Sequence, residues 1–309
     1  MSRAIVVTGA AGFIGRFVVA ALRERNIPVI ATGRPAGRET TGVIPVAFDD
    51  QTAMVPLLRE AQAVIHLAAR AHVAAHPDPD ANRAFRDVNV QGTLDVARAA
   101  ATAGVRRFVF VSSAGVLGAR SPPGGLSDES PAAPYDAYTR SKLEAETLLA
   151  PFAAETGLEL VIVRPPVVYG PNAPGNFGRL LRWVGRVPLP LGAISARRSG
   201  TGVRNLADFL AFAAITEEAG GTVCLVSDPE TPTVTELCRR VATLRGRPGL
   251  LVPVSPAILA FALRLAGSRP DARRLTEPFE LQPTVTMRLG WRPPYTLNDE
   301  LAFAVGAKA

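Results

Sequence analysis

Ala4-Ile5-Val6-Val7-Thr8-Gly9-Ala10-Ala11-Gly12-Phe13-Ile14-Gly15-Arg16-Phe17-Val18-Val19 is the stretch that decides the fold. Its first five residues form an apolar, β-branched run of strand length, and the residues after Gly15 follow a helical apolar period. Glycines between the two permit a tight turn and close backbone approach. The N–H groups opening the helix then favour a pyrophosphate. The loop is expected to seat a dinucleotide through Gly9, Gly12, Phe13, Ile14 and Gly15. A glycine triplet alone is a weak signal, and its place after the first strand gives it weight. The spacing is G-x-x-G-x-x-G, which differs from the G-x-G-x-x-G fingerprint.

Outward from this loop, short apolar runs alternate with longer amphipathic stretches. Strands are expected at 4–8, 28–32, 42–48, 63–67, 107–112 and 158–163, and helices at 14–25, 53–60, 85–103 and 138–156. That alternation specifies an α/β fold with a doubly wound parallel sheet, Rossmann-like. From about residue 169 the chain turns to Pro- and Gly-rich loops around short helices, which suggests a smaller C-terminal substrate domain. A helix at 205–219 and a strand at 222–227 look able to rejoin the sheet. The expected division is a dinucleotide-binding domain at 1–168, rejoined by 203–227, with 169–309 mainly substrate-binding.

Bulk properties narrow the classes. The chain has 309 residues, 48% of them hydrophobic, enough for a sizeable core and against disorder. Cys224 and Cys238 lie far apart, so no disulfide framework or metal knuckle is suggested, and a reducing, cytoplasmic setting fits. His66, His72 and His76 match no metal pattern; His66 is expected in the core, while His72 could approach a substrate. The first residues lack a signal-peptide pattern. The most apolar stretch, 250–263, is broken by Pro253 and Pro256 and is too short to span a bilayer. The net charge of +7 comes from scattered arginines, read as a solvated surface, so neither nucleic acid nor membrane is expected as a partner.

The second expected strand ends Ala31-Thr32-Gly33-Arg34, without the acidic residue that accepts from a ribose 2′-OH. A guanidinium there pairs instead with a 2′-phosphate. NADP(H) is therefore favoured and NAD(H) stays possible, the alternative being a merely solvated Arg34.

Tyr138-Thr139-Arg140-Ser141-Lys142 places Tyr138 and Lys142 four residues apart, on one helix face. A nearby ammonium would lower the tyrosine pKa below about 10, making Tyr138 a general acid or base. Tyr135 has Thr139 four residues on and is read as a decoy.

Together with the glycine loop, this pair resembles the extended short-chain dehydrogenase/reductases of the NAD-dependent epimerase/dehydratase family. The resemblance spans most of the chain and is strongest from Ile5 to Pro171. It implies that Lys142 also binds the nicotinamide ribose and that Ser113, at the end of Phe108-Val109-Phe110-Val111-Ser112-Ser113, is the catalytic hydroxyl, with Ser112 as the alternative. It further implies that Asp49 contacts the adenine, that Leu67, Ala68 and Ala69 line the cofactor, that Asn89 organises the active-site helix, and that Pro165 lies beside the nicotinamide. Arg164-Pro165-Pro166-Val167-Val168-Tyr169-Gly170-Pro171 is similar to members acting on sugar nucleotides, whose substrate phosphates would fall to Asn176 and Arg198. The alternative for Arg198 is a surface arginine pair. The closing Leu289-Gly290-Trp291-Arg292-Pro293 fits the same group, with Trp291 as packing.

Three reactions are then open. Ala114-Gly115 replaces the acid pair that 4,6-dehydratases carry after the hydroxyl residue, which argues against elimination. Reduction of a UDP-4-keto-6-deoxy-(N-acetyl)hexose, with Tyr138 as acid, is favoured over an NAD-dependent UDP-sugar 4-epimerase. Leu117, where sugar-nucleotide enzymes commonly have tyrosine, loosens the substrate assignment. A non-catalytic NADP-binding sensor is the reading of another class, and the intact Tyr138/Lys142 pair speaks against it. The resemblance also implies a homodimer.

Overall fold

The structure, a computed structural model, describes residues 3–33, 42–71, 81–247, 251–265 and 269–307. The strands are β1 (Ala4–Thr8), β2 (Val29–Gly33), β3 (Ile44–Pro45), β4 (Ala61–His66), β5 (Arg107–Val111), β6 (Leu126–Ser127), β7 (Glu159–Arg164), β8 (Val167–Tyr169), β9 (Gly200–Gly202), β10 (Val223–Leu225) and β11 (Leu281–Gln282). Seven of them form one sheet in the order β3-β2-β1-β4-β5-β7-β10, with every recorded pairing parallel. Strand order reverses between β1 and β4, so a crevice opens beyond their carboxyl ends, which is where open α/β sheets take ligands.

The helices are α1 (Gly15–Glu24), α2 (Gln51–Leu58), α3 (Ala81–Arg86), α4 (Gly92–Thr102), α5 (Ala137–Thr156), α6 (Gly175–Trp183), α7 (Val203–Ile215), α8 (Val234–Leu244), α9 (Pro256–Leu265), α10 (Arg269–Thr276), α11 (Thr284–Arg288) and α12 (Leu297–Val305). Alternate strand residues feed two cores, as the two-residue period requires. Ile5, Val7, Ile65, Val109 and Val163 pack with α1 and α7 on one face. Val6, Val64, Phe108, Phe110 and Ile162 pack with α2, α4 and α5 on the other.

Three expected elements change. The helix at 85–103 is broken by a π turn over Asp87–Gln91 between α3 and α4. The strand at 42–48 shrinks to β3, and the helix at 205–219 becomes α7, with a separate 3₁₀ turn at Glu217–Ala219. Beyond β7, the chain forms a third apolar cluster around Tyr169, Leu181, Leu237, Val241 and Leu301.

A buried polar knot joins this cluster to the sheet. The Tyr169 hydroxyl donates to Asp228, which also accepts from Asn205 Nδ2 at 2.8 Å and from the Gly202 N–H. Glu300 lies against Gly202, with Arg204 Nε 3.2 Å from its Oε1 and no partner for Oε2. Burial raises the Glu300 carboxyl to about 7, against the pull of Arg204 and with the help of Asp228. A folded pKa above the unfolded one means that protonation favours the native state. This contribution is therefore complete below about pH 4.5 and is lost as pH rises to about 7, a cost of order 3 kcal/mol. Glu300→Gln should flatten the fall in unfolding free energy between pH 5 and 7.5 in urea titrations (roughly the window above). An unchanged slope would place the effect on another group.

Candidate active site

The glycine loop leaves β1 at the crevice. Gly9 adopts φ +71°, and a Cβ there would stand 2.8 Å from Ala68 N. At Gly15 a Cβ would stand 2.3 Å from Gly9 O, so α1 and the loop touch backbone to backbone. The Ala10 N–H donates to Thr32 O at 3.0 Å and the Leu67 N–H to Thr8 O at 3.2 Å, tying the loop to both neighbouring strands. No side chain caps the start of α1 and no acid occupies its first turn, so its N–H groups and dipole suit an anion. Ala11 and Gly12 are exposed, and Ile14 is half-buried. These residues fit the pyrophosphate of a dinucleotide. The Phe13 ring lies beside Gly170 and under Arg16, whose Nη2 donates to Pro171 O at 2.7 Å, so any cofactor contact from Phe13 falls to its backbone.

Leu67, Ala68 and Ala69 follow β4 directly across from the loop, Ala68 being buried. Asp49 is exposed in the turn before α2, whose cap is the neighbouring Asp50. Arg34, on which the cofactor preference turns, and His72 lie outside the described residues.

At the end of β5, Ser113 caps a short 3₁₀ turn, Ala114–Leu117, its Oγ accepting from the Gly115 N–H at 3.1 Å. The hydroxyl proton is thereby left to donate elsewhere. The Ala114 N–H donates to Pro165 O at 2.8 Å, which sets the Pro165 backbone beside the Ser113 turn. Ser112 is buried, with no partner for its Oγ. A Cβ on Gly115 would stand 2.8 Å from Thr139 Cγ2, so the turn abuts the first turn of α5 and leaves no room for an acidic side chain at 115.

That first turn carries Tyr138. A capping box fixes it: Thr139 N donates to Asp136 Oδ1 at 2.8 Å and Asp136 N to Thr139 Oγ1 at 3.1 Å. The Tyr138 ring, half-buried, packs near Phe85 with centroids 6.3 Å apart. Lys142, one turn on, is buried with Nζ 4.4 Å above the Phe110 ring. Behind it Glu146 pairs with Arg164, Nε to Oε1 at 3.1 Å, locking α5 to the end of β7.

The electrostatics correct one expectation. Burial lowers Lys142 to about 7, against Glu146. Burial, aided by Asp136 and Tyr135, raises the Tyr138 phenol well above its ordinary range. Lys142 is not among the groups that shift it, and desolvation sets the direction, opposite to the one expected from the four-residue spacing. Tyr138 is thus held as a neutral phenol, a proton donor.

Asn89 sits in the π turn, fully buried. Its Nδ2 donates to Ser141 Oγ at 2.9 Å and Arg70 O at 3.1 Å, and its Oδ1 accepts from the Arg70 N–H at 2.8 Å. Thr93 Oγ1 donates to Asn89 O at 2.7 Å, so it accepts from His66 Nε2–H, and His66 Nδ1 accepts from Thr8. His66 is pushed down to about 3 by burial and then by Lys142, so it stays neutral. Sequence reasoning placed His66 in the core but missed this chain, which runs from β1 to α5. Asn89→Ala would orphan both Arg70 backbone groups and should cost about 2 to 4 kcal/mol in chemical denaturation. A loss under about 0.5 kcal/mol, the level of a neutral surface change, would contradict the bridging role.

The two substrate candidates sit on different segments. Asn176 is exposed on α6, accepting from Arg179 Nη2 at 2.6 Å. Arg198 is half-buried over the Phe279 ring, its Nη1 donating to Glu277 O at 2.8 Å, and burial lowers it to about 10. Its neighbour Arg197 is exposed and paired with Glu280. Arg198 is therefore no simple surface arginine. Tyr135, read as a decoy, lies beside Gly115.

A family model described as the NAD dependent epimerase/dehydratase family matches residues 5–223. The UDP-glucose 4-epimerase of Vibrio cholerae is 33% identical over 306 residues, covering 97% of this chain and 93% of that protein. The 3-diazoavenalumate denitrifying reductase of a Streptomyces species is 28% identical over 308 residues, covering 94% and 96%. Among solved structures, MoeE5 in complex with UDP-glucose and NAD superposes with TM-score 0.76 at 27% identity, covering 98% of this chain and 97% of that one.

Proposed function

The chain belongs to the NAD-dependent epimerase/dehydratase family, and from that premise we propose that it transfers hydride at C4 of a nucleotide-diphosphate sugar, reducing a 4-keto group. The observation carrying this reading is the meeting of the Ser113 turn with the first turn of α5. Ser113, already accepting from Gly115, donates to the sugar O4 and Tyr138 delivers its proton to the same oxygen. The nicotinamide supplies the hydride when bound. Lys142 holds the cofactor ribose, fixed by Phe110 below it and by the Glu146–Arg164 pair behind α5. A phenol kept protonated suits the reductive direction. Arg198 takes the sugar diphosphate, with Asn176 at the outer phosphate.

Gly9, Gly12, Gly15, Ala68 and Pro165 line the dinucleotide, with Asp49 at the adenine. We favour NADP(H) on account of Arg34; MoeE5 with bound NAD supports NAD(H) as the other possibility. Residues 1–168 with 203–227 form the cofactor part and the remainder mainly the substrate part. A homodimer through the α3–α4 and α5 helices, in the cytoplasm, completes the proposal; the outer side of α5 carries a groove lined by Pro134, Arg140, Leu143 and Leu148 that would accept a second copy.

A second reading, 4-epimerisation, is favoured by the similarity to the Vibrio cholerae enzyme over 97% of the chain. One assay separates them. The protein is stripped of nucleotide and given NADPH or NADH with a UDP-4-keto-6-deoxy-N-acetylhexosamine. Stoichiometric loss of reduced cofactor supports reduction. Interconversion of UDP-glucose and UDP-galactose with tightly held NAD and no net consumption supports epimerisation and overturns reduction.

A further inference from the structure

The most apolar stretch of the sequence folds as α9, and the site described above does not use it. Leu259 and Ala260 are buried, Leu259 in the third core cluster. The opposite side is exposed and wholly apolar: Ala257, Ile258, Phe261, Ala262 and Leu265. At about 100° per residue these five share an arc of about 140°. Ile258 and Phe261 are each 64% exposed and Leu265 74%, the three highest values among the large hydrophobic side chains of the described residues. A helix apolar on every side is ordinarily covered on every side. A few apolar side chains scattered singly would need no explanation, whereas a contiguous stripe marks a contact surface.

The charge around the stripe indicates what covers it. Residues 251–277 hold Arg264, Arg269, Arg273 and Arg274 against Asp271 and Glu277, the last of which pairs with Arg273, a surplus of two positive charges. Arg264 borders the stripe, and Arg273 and Arg274 are exposed on α10, which packs against α9. An apolar face edged by arginine is the composition of a helix lying in the plane of a membrane interface. Ten residues rise only about 15 Å, half the hydrocarbon thickness, so the helix lies on the bilayer and does not cross it.

We propose that the exposed face of α9, with the arginines of the α9–α10 hairpin, docks on an anionic lipid bilayer. The hairpin also borders the candidate diphosphate arginine, since Arg198 donates to Glu277 O just past α10 and feels the Arg274 charge. Docking would hold the mouth of the site at the membrane surface. This departs from the expectation of no membrane partner while agreeing that, among the described residues, no helix is long and apolar enough to span.

Flotation of the full chain with lipid vesicles tests it independently of any assumed substrate. Vesicles of equimolar phosphatidylcholine and phosphatidylglycerol should carry the protein upward at about 0.05 M salt, with at least tenfold weaker binding to phosphatidylcholine alone and release near 1 M salt. The triple variant Ile258→Ser, Phe261→Ser, Leu265→Ser should lose binding at least tenfold with an unchanged melting temperature. Arg264→Glu should weaken it while leaving the apolar face intact. No flotation of the wild-type chain, or equal flotation of the triple variant, overturns the proposal. So does a fall of the triple variant to a smaller species in sedimentation, which assigns the face to a second copy of the chain.

Discussion

Tyr138→Phe should lower turnover by about two or more orders of magnitude while cofactor binding and melting temperature stay near the wild-type values. The change removes one oxygen. The ring keeps its neighbour Phe85, and the Asp136–Thr139 capping box that sets the helix start does not involve the hydroxyl. What is lost is the proton that the sugar O4 must receive as C4 takes up hydride. Because burial holds the phenol protonated, the donor form is present throughout the ordinary pH range, and a limb near pH 7 in the rate profile would belong to Lys142. Cofactor fluorescence titration together with single-turnover rates separates chemistry from binding. A near-normal rate in Tyr138→Phe would move the acid to another group, with Ser113 the nearest alternative in the fold.

The second large effect is expected at Gly15. An added methyl would stand 2.3 Å from Gly9 O, 2.7 Å from Ala10 Cα and 2.8 Å from Ala10 O, all backbone atoms that no side-chain rotation can move. Either α1 shifts away from the loop or the loop gives up its shape. Gly15→Ala should therefore weaken dinucleotide binding about a hundredfold or more, with a loss of stability of about 1 to 3 kcal/mol from overpacking. Gly12→Ala is the internal comparison, since its Cβ would meet one atom within 4 Å among the described residues, Gly9 O at 3.0 Å, and its effect should be several-fold smaller. Equal affinities for Gly15→Ala and the wild-type chain in a fluorescence titration would mean that the loop does not hold the pyrophosphate.

Much of this was readable from residue pattern. Near-continuous apolar runs along β1, β4, β5 and β7, buried on both faces, made the strands visible, and the glycine loop marked where the sheet opens. The expected places of Ser113 at a strand end and of Tyr138 and Lys142 one turn apart on a helix match the structure, because strand ends and four-residue spacing are local. The π turn was not, since 85–103 has an unbroken helical period. Its cause is tertiary: Asn89 reaches back to Arg70 and across to Ser141. Gly92, whose Cβ would stand 3.0 Å from the Phe48 ring, is the nearest thing to a local sign of it. The sign of the Tyr138 shift also escaped, because spacing tells which groups are neighbours and not how much water surrounds them. The surface-pair alternative for Arg198 could not be judged from sequence either, because only the fold brings Phe279 and Glu277 against it.

The return of the chain to the sheet as β10 bears on how the molecule is made. β7 finishes synthesis with one edge open, and that edge waits for Val223–Leu225 to pair with Ile162, Val163 and Arg164. Until then the groove beside α1 also lacks Leu206, Phe209 and Leu210 of α7, which complete the core there. A nascent chain halted at residue 168 would carry an unpaired apolar strand edge and an uncovered sheet face, the combination that draws chains into aggregates. Anyone dissecting the protein into working pieces should therefore not cut before β10, because the half that carries the glycine loop is still incomplete until the later segment has been threaded back into it.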